Sequence, residues 1–147
     1  MQNKIYKPLF DKLFWWTFAI TVAILAPLAV VSAFHPVTLL VTVPVIVLTL
    51  YVLISPFWGY VELREDTVFI KFGLVLKKEI PYSKIRDVQL DRKFYSESII
   101  ALKNSIEHLN IKYNRYDAVT VSVKGNEAFM ADLNARLLEA RRTLLDK

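Results

Sequence analysis

Residues 73–90 read GLVLKKEIPYSKIRDVQL, which is two short runs of alternating apolar and polar residues joined by a corner at residues 80–84. Alternation with a period of two is the pattern of a β-strand with one buried face. Pro81 lies in the corner and cannot donate a backbone hydrogen bond, so one strand is expected to end there and another to begin.

The phase of the first run assigns a direction to each of its side chains. We expect Leu74 and Leu76 to point inward, and Val75 and Lys77 to point outward. Lys78 shares the inward phase. The pattern therefore predicts either a β-bulge nearby or a strand that leaves the sheet at this position.

Further strands are expected on both sides of this stretch. YVEL (60–63) and VFIKF (68–72) flank a polar turn at 64–67, which is typical of a β-hairpin. Strand patterns recur at 106–113 and 118–123. The expected inward residues are Ile106, Leu109, Ile111, Tyr113, Val119, Val121 and Val123, and His108 is expected to point outward.

The C-terminal stretch, at about 126–145, changes to helical spacing. Its recurring apolar residues are Phe129, Leu133, Leu137, Ala140 and Leu144. Several short strands followed by one amphipathic helix predict an α+β domain, in which the helix closes against a small antiparallel barrel or sandwich.

The N-terminal third is of a different kind. From Leu13 through Val61 the chain has no Asp, Glu, Lys or Arg, and this run is more than twice the roughly 20 residues that one membrane span needs. We therefore expect two transmembrane helices at about 13–34 and 37–56, with the break at Pro36. A cleaved signal peptide has an apolar core of only about 7–15 residues, so a retained hairpin is favoured.

The flanks of this hairpin (13–57) predict its orientation. The basic head, residues 1–12, carries Lys4, Lys7 and Lys12, whereas the connecting turn carries no charge. By the positive-inside rule both ends of the chain are then expected in the cytoplasm, and the protein is expected to be multi-pass in the inner (plasma) membrane. The expected aromatic belt at one membrane interface consists of Trp15, Trp16, Phe57, Trp58 and Tyr60.

Composition and motif spacing give no sign of catalysis. The 147 residues include no cysteine and three glycines, so thiolate metal sites and glycine-rich phosphate loops are excluded. His35 and His108 are expected on opposite sides of the membrane and cannot share a metal. The net charge is +5, but the basic residues of the soluble part alternate with acidic residues and do not form a concentrated basic face. We expect no catalytic, cofactor-binding or metal-binding residue, no small-molecule substrate and no nucleic-acid partner.

Three segments resemble, in their order, the bacterial pleckstrin-homology (PH)-like domains of the membrane-anchored type with N-terminal transmembrane helices. They are KKEIPYSKIRDVQLDR (77–92), ALKNSIEHLNIKY (101–113) and VTVSVKGNEAFMADL (119–133), and the likeness covers roughly 58–138. The resemblance implies a bent barrel capped by one helix within a soluble domain at 58–147. It does not imply phosphoinositide recognition, because the first hairpin turn is acidic where lipid-binding members are basic.

One surface is a candidate for binding. Its residues are Lys78, Lys84, Arg86, Arg92, Lys93, Phe94 and Tyr95. These residues would either face anionic membrane lipid headgroups, contact a protein partner, or form a solvated face paired with Glu79, Asp87 and Asp91.

Three functions remain open from the sequence. The favoured hypothesis is a non-enzymatic module that binds a protein partner or forms a homo-oligomer, and the alternative is lipid-headgroup sensing. A weaker alternative is a subunit of a transporter or channel, which the absence of ionisable residues in the spans disfavours as an independent pore.

Overall fold

The computed structural model of the chain describes residues 2–93, 95, 98 and 101–145, apart from the side chains of Pro36, Leu144 and Leu145. The N-terminal part contains β1 (Lys4–Tyr6), α1 (Lys12–Ala33), α2 (Pro36–Ile54) and a 3-10 turn (Ser55–Trp58). Strands β2 (Tyr60–Leu63), β3 (Thr67–Lys71), β4 (Lys77–Pro81) and β5 (Ile85–Arg92) follow, with a second 3-10 turn (Tyr82–Lys84) before β5. The remaining elements are β6 (Ala101–Leu102), β7 (Glu107–Tyr113), β8 (Asp117–Val121) and α3 (Asn126–Leu145).

The strands form two sheets. The first sheet has the order β1-β2-β3-β4 and is antiparallel throughout, and the second has the order β5-β7-β8-β6, in which β6 runs parallel to β8. Together they make an open, barrel-like sandwich that α3 closes with Phe129, Leu133 and Leu137. The α+β class, the barrel-like sheet pair and the C-terminal helix are therefore confirmed.

The two N-terminal helices are inserted between two neighbouring strands. β1 precedes α1 and pairs with β2, which follows α2, so that Lys4 lies opposite Leu63 and Tyr6 lies opposite Val61. After β1, Pro8 forms an isolated antiparallel β-bridge with Val123. The head was expected to precede the spans as a separate basic segment, but it contributes a strand to the folded domain, because its apolar Tyr6 joins the core.

Helices α1 and α2 form an antiparallel hairpin. Both are long and apolar enough to cross a membrane, which is compatible with membrane anchoring. The Oγ of Ser32 donates to the carbonyl of Leu28 at 2.7 Å and lies 3.1 Å from Oγ1 of Thr42, which links the two helices near their turn. The helices meet at His35, the N-cap of α2, as the proline at its first position predicts.

The predicted inward direction of Leu74 and Leu76 is wrong. Strand β4 begins only at Lys77, and residues 73–76 form a loop in which the three apolar side chains are exposed. The loop closes through a 2.9 Å hydrogen bond from the N–H of Phe72 to the carbonyl of Leu76. Because of this bond, residues 73–76 form a turn outside the sheet. The sequence pattern did not reveal the turn, because the same run of residues is also compatible with a strand.

Two directions predicted for the following strands are also wrong. His108 is fully buried rather than outward-facing, and Ile106 is partly exposed because it precedes β7. β7 lies between β5 and β8, and its buried Asn110 has a partner there: Oγ1 of Thr120 donates to Oδ1 of Asn110 at 2.6 Å. A central strand can therefore bury both faces, which alternation alone does not reveal.

Candidate functional site

The first sheet has two different ends. Tyr60, Lys71 and Lys77 lie at the end from which the helical hairpin leaves, and we call this the hairpin end. The opposite end carries the turn at 64–66 and packs against α3, and we call it the α3 end. There the guanidinium of Arg136 donates to the carbonyls of Arg64 and Gln2, each at 2.6 Å.

The predicted binding surface divides into two groups along β5. Lys84 and Arg86 lie at the start of β5, whereas Arg92, Lys93 and Tyr95 lie at or beyond its end. An eight-residue strand spans about 23 Å, so the two groups cannot contact one small ligand together. Phe94, which was predicted to join them, is outside the described residues.

Lys78 occupies the inward phase that the sequence indicated. Lys78 pairs with Ile70 in regular register, so the predicted bulge is not found in β4. A register shift occurs between Ile85 and Asp87 of β5. The ammonium of Lys78 is 5.5 Å from the centroid of the Tyr113 ring. A cation–π contact at the edge of the sandwich therefore accommodates this charge, with no bulge in β4.

A cleft of about 510 Å³ lies beside the basic group at the start of β5. It is lined by Arg86, Asp87, Lys112 and residues 113–118. Tyr116 is 85% exposed at the β7–β8 turn, and the guanidinium carbon of Arg115 lies 5.2 Å from the centroid of its ring. Asn114 adopts a positive φ of 51°, which short polar side chains tolerate and which turns the chain at this point. The cleft therefore combines both signs of charge with an exposed aromatic ring.

The predicted aromatic belt is partly brought together around Phe57. The centroid of its ring lies 6.0 Å from that of Trp15 and 4.7 Å from that of Phe10. Trp16 and Trp58 are exposed beside the same helix ends. Tyr60 lies on the outer face of β2, where its ring packs against Phe69 at 5.9 Å.

A second crevice, of about 340 Å³, lies at the hairpin end. Its apolar lining includes Phe10, Phe57 and Trp58, and the lysines Lys7 and Lys124 lie beside it. The backbone brings these lysines together, because the N–H of Lys124 donates to the carbonyl of Lys7 at 2.9 Å. This pair could not be predicted from the sequence, because no local pattern connects residues so distant along the chain. We call this site the hairpin crevice.

Asp11 connects the hairpin to the domain. Its carboxylate accepts from the N–H of Phe14 at 3.0 Å, which caps α1, and from the N–H of Ile106 at 2.8 Å. Burial by itself would raise the pKa of the Asp11 carboxyl, but these hydrogen bonds to its charged form lower the pKa below its ordinary value. The start of α1 is thus held against the segment that leads into β7.

Asp132 makes a similar connection at the α3 end. Its carboxylate accepts from the ammonium of Lys4 and from the hydroxyl of Tyr6, which ties β1 to α3. The pKa of the Asp132 carboxyl is lowered mainly by the hydrogen bond from Lys4 and, to a smaller extent, by the hydrogen bond from Tyr6.

Across the part of the chain that the structure describes, no three His, Cys, Asp or Glu side chains are grouped as metal ligands.

The comparisons with known proteins identify the family. A family model described as a bacterial PH domain matches residues 59–137, which run from the end of the first 3-10 turn into α3 and make up more than half of the chain. No curated protein and no solved structure matches the chain. PH domains are generally non-catalytic modules that bind lipids or proteins. The chain belongs to the bacterial PH domain family, as this match shows, and its two sheets and closing helix agree with that fold.

Proposed function

We propose that this chain is a non-enzymatic integral membrane protein that presents its PH-like domain at the cytoplasmic face of the plasma membrane, where the domain binds a protein partner or a second copy. The observation that carries the proposal is the insertion of the helical hairpin between the paired strands β1 and β2. A domain built this way is attached to its helices at two adjacent points.

The two attachments leave little freedom between hairpin and domain. Asp11 holds the start of α1, and only the 3-10 turn Ser55–Trp58 and Gly59 separate α2 from β2. A Cβ atom on Gly59 would lie 2.6 Å from Leu102, so the chain passes close against β6 here. A domain fixed in this way offers partners a constant orientation relative to the membrane.

The distribution of charge supports a cytoplasmic position. Three lysines flank the start of α1, and the turn between the helices is uncharged. Because β1 and β2 belong to one sheet, both ends of the hairpin must lie on the same side of the membrane. The positive-inside rule then assigns that side to the cytoplasm.

The cleft beside Tyr116 is the surface that best suits a protein partner. Tyrosine and arginine are the residue types that most often dominate binding energy at protein interfaces. The cleft brings Tyr116 and Arg115 together with Arg86, and Asp87 and Asp117 supply the opposite charge. This mixture favours a polar protein surface over a purely anionic ligand.

Photocrosslinking in native membranes tests this surface. A benzophenone amino acid is placed at Tyr116 of the full chain and, as the matched control, at Tyr95, which is also exposed but lies beyond the far end of β5. We expect a discrete adduct from Tyr116 that Arg86→Glu suppresses, and none from Tyr95. Recovery of only the monomer from Tyr116 would count against the partner and the homo-oligomer alike.

Anionic-lipid binding is the second candidate, and the hairpin crevice favours it. Lys7 and Lys124 lie beside an aromatic wall at the level of the helix ends, which is where headgroup phosphates lie if the hairpin spans the membrane. The test compares binding of the full chain to phosphatidylglycerol and to phosphatidylcholine in nanodiscs. Lys7→Gln with Lys124→Gln is expected to lower the preference for the anionic lipid by roughly thirtyfold, because each lysine contributes about 1 kcal/mol near an anionic surface. Lys84→Gln with Arg86→Gln removes the same charge elsewhere and serves as the control; an equal loss in both variants would contradict a specific site.

A further inference from the structure

The loop between β3 and β4 exposes three consecutive large apolar side chains. Leu74, Val75 and Leu76 are 49%, 73% and 62% exposed. Contiguous apolar surface of this kind on a folded domain commonly marks a contact with a membrane or another protein. The family resemblance and the two clefts described above leave this loop without a role.

The loop lies directly against the end of α2. A Cβ atom on Gly73 would come within 1.8 Å of the Oγ of Ser55, so the chain passes the helix at van der Waals distance. A crevice of about 270 Å³ joins Leu76 and Phe72 to Tyr51 and Val52 of α2. Tyr51 and Val52 belong to the second apolar helix, which is long enough to cross a membrane. Leu76 therefore lies beside residues of the candidate span itself.

Basic residues frame the loop on the domain side. Lys71 and Lys77 are partners in the register of β3 and β4, and they are the last ladder residues before the loop on either side. Among the residues that the structure describes, neither forms an ion pair. An apolar tip with lysines behind it is the arrangement of an interfacial membrane element, in which ammonium groups reach headgroup phosphates.

We propose that residues 73–76 are a third membrane-contacting element of this protein, with Leu74, Val75 and Leu76 embedded in the bilayer interface beside α2. Lys71 and Lys77 lie at the level of the headgroups. The inference rests on the proposed function in one respect, namely that the helical hairpin is embedded in the membrane. Its consequence is mechanical: α1, α2 and the loop hold the domain at three points, which prevents it from pivoting about the helix ends.

Continuity with α2 makes lipid the occupant rather than a protein. The apolar side chains of the loop extend the apolar surface of the helix across the crevice at Phe72 and Leu76. A protein partner on the same loop would have to displace the lipid that surrounds the end of α2.

Site-directed spin labelling tests the proposal, and the absence of cysteine makes it direct. The full chain carrying Val75→Cys is labelled with a nitroxide and reconstituted in vesicles of phosphatidylcholine and phosphatidylglycerol. Ile24→Cys reports on the middle of α1, and Glu65→Cys reports on the exposed turn at the α3 end of the same sheet. The measurement is collisional access of oxygen, which concentrates in lipid, compared with a water-soluble nickel chelate.

We expect the Val75 label to be accessible to oxygen and shielded from nickel, as the Ile24 label is, and the Glu65 label to show the reverse. A nickel-accessible Val75 label beside a shielded Ile24 label would overturn the loop insertion and leave the embedded hairpin intact. A nickel-accessible Ile24 label would instead overturn the membrane embedding on which the proposed function rests. Leu74→Cys repeats the measurement at a second exposed position, so that the result does not depend on one variant.

Discussion

The two ends of the first sheet are built from different chemistry. At the α3 end, several charged groups are paired or hydrogen-bonded: Arg64 contacts Glu62 and Glu79, and Asp132 accepts from Lys4 and Tyr6. At the hairpin end, apolar side chains are exposed and two lysines frame them. The first sheet thus passes from an end with polar contacts to an end whose surface is apolar and basic.

This difference indicates how the domain is supported. At the α3 end, side-chain contacts link the first and last elements of the chain, because Lys4 and Tyr6 bond Asp132 and Arg136 bonds the carbonyls of Gln2 and Arg64. At the hairpin end, the loop at 73–76 leaves its apolar side chains exposed, and this is the end that we propose meets the membrane. Variants at the two ends should therefore have effects of very different size on stability.

The largest effect is expected at the buried ring of Phe129. This side chain is fully buried and its ring lies 5.0 Å from that of Tyr6, so Phe129→Ala removes contacts between α3 and β1. We expect the free energy of unfolding of the domain to fall by about 3–5 kcal/mol. Denaturant unfolding of the full chain in detergent measures it. Leu138→Ala on the exposed face of α3 is the control, and a loss of similar size there would refute the assignment of the core.

A smaller loss is expected from Arg136→Ala. Its guanidinium is largely buried and bonds the carbonyls of Gln2 and Arg64, which would lose their partner. Hydrogen bonds from charged groups contribute roughly 1.5–3 kcal/mol, and we expect a loss of about 2 kcal/mol. Hydrogen exchange of the β1 amides should also become faster in this variant, because Arg136 no longer holds the carbonyl of Gln2 beside β1. Arg142→Ala, on an exposed part of the same helix, should change neither quantity.

The third effect depends on pH. Because the folded-state pKa of Asp132 lies below its ordinary value of 3.8, the contribution of this carboxylate is fully present above that value and is lost as pH falls through the folded-state pKa. The midpoint of thermal unfolding should therefore be higher for the wild type than for Asp132→Asn near neutral pH. The two midpoints should converge in acid below pH 3.8. A constant difference at all pH values would mean that the carboxylate charge is not what stabilises β1 against α3.

The smallest effect on stability is expected at the hairpin end. Val75 is exposed and packs against little of the domain, so Val75→Ser should change the free energy of unfolding in detergent by less than about 0.5 kcal/mol. A loss of more than about 1 kcal/mol would show that the loop is part of the core rather than a surface element.

Local periodicity was sufficient for much of the fold. The hairpin of β2 and β3, the strands β5, β7 and β8 and the helix α3 could be predicted because each is built around a regular alternation or helical spacing of apolar residues. The apolar helices could be predicted from length and the absence of charge alone. The three segments that resemble the family also lie within the part of the chain that the family model matches.

The candidate sites were less accessible to sequence reasoning. β1 is three residues long, which is too short for a recognisable period, and its partner lies beyond the whole hairpin. Lys7 and Lys124 meet only because the head passes beside the strand that leads into α3. Contacts of this kind depend on chain paths that no local pattern records.

By itself, the sequence determined which segments avoid water and with what period, and therefore where the helices, most strands and the family likeness lie. Only the tertiary structure decided that the head joins the sheet, that His108 is buried and that Leu74, Val75 and Leu76 are exposed beside α2. The reason is physical. Hydrophobic patterning reports that a side chain is unfavourable in water, but what covers that side chain is determined by elements that are distant in the chain and adjacent in the fold.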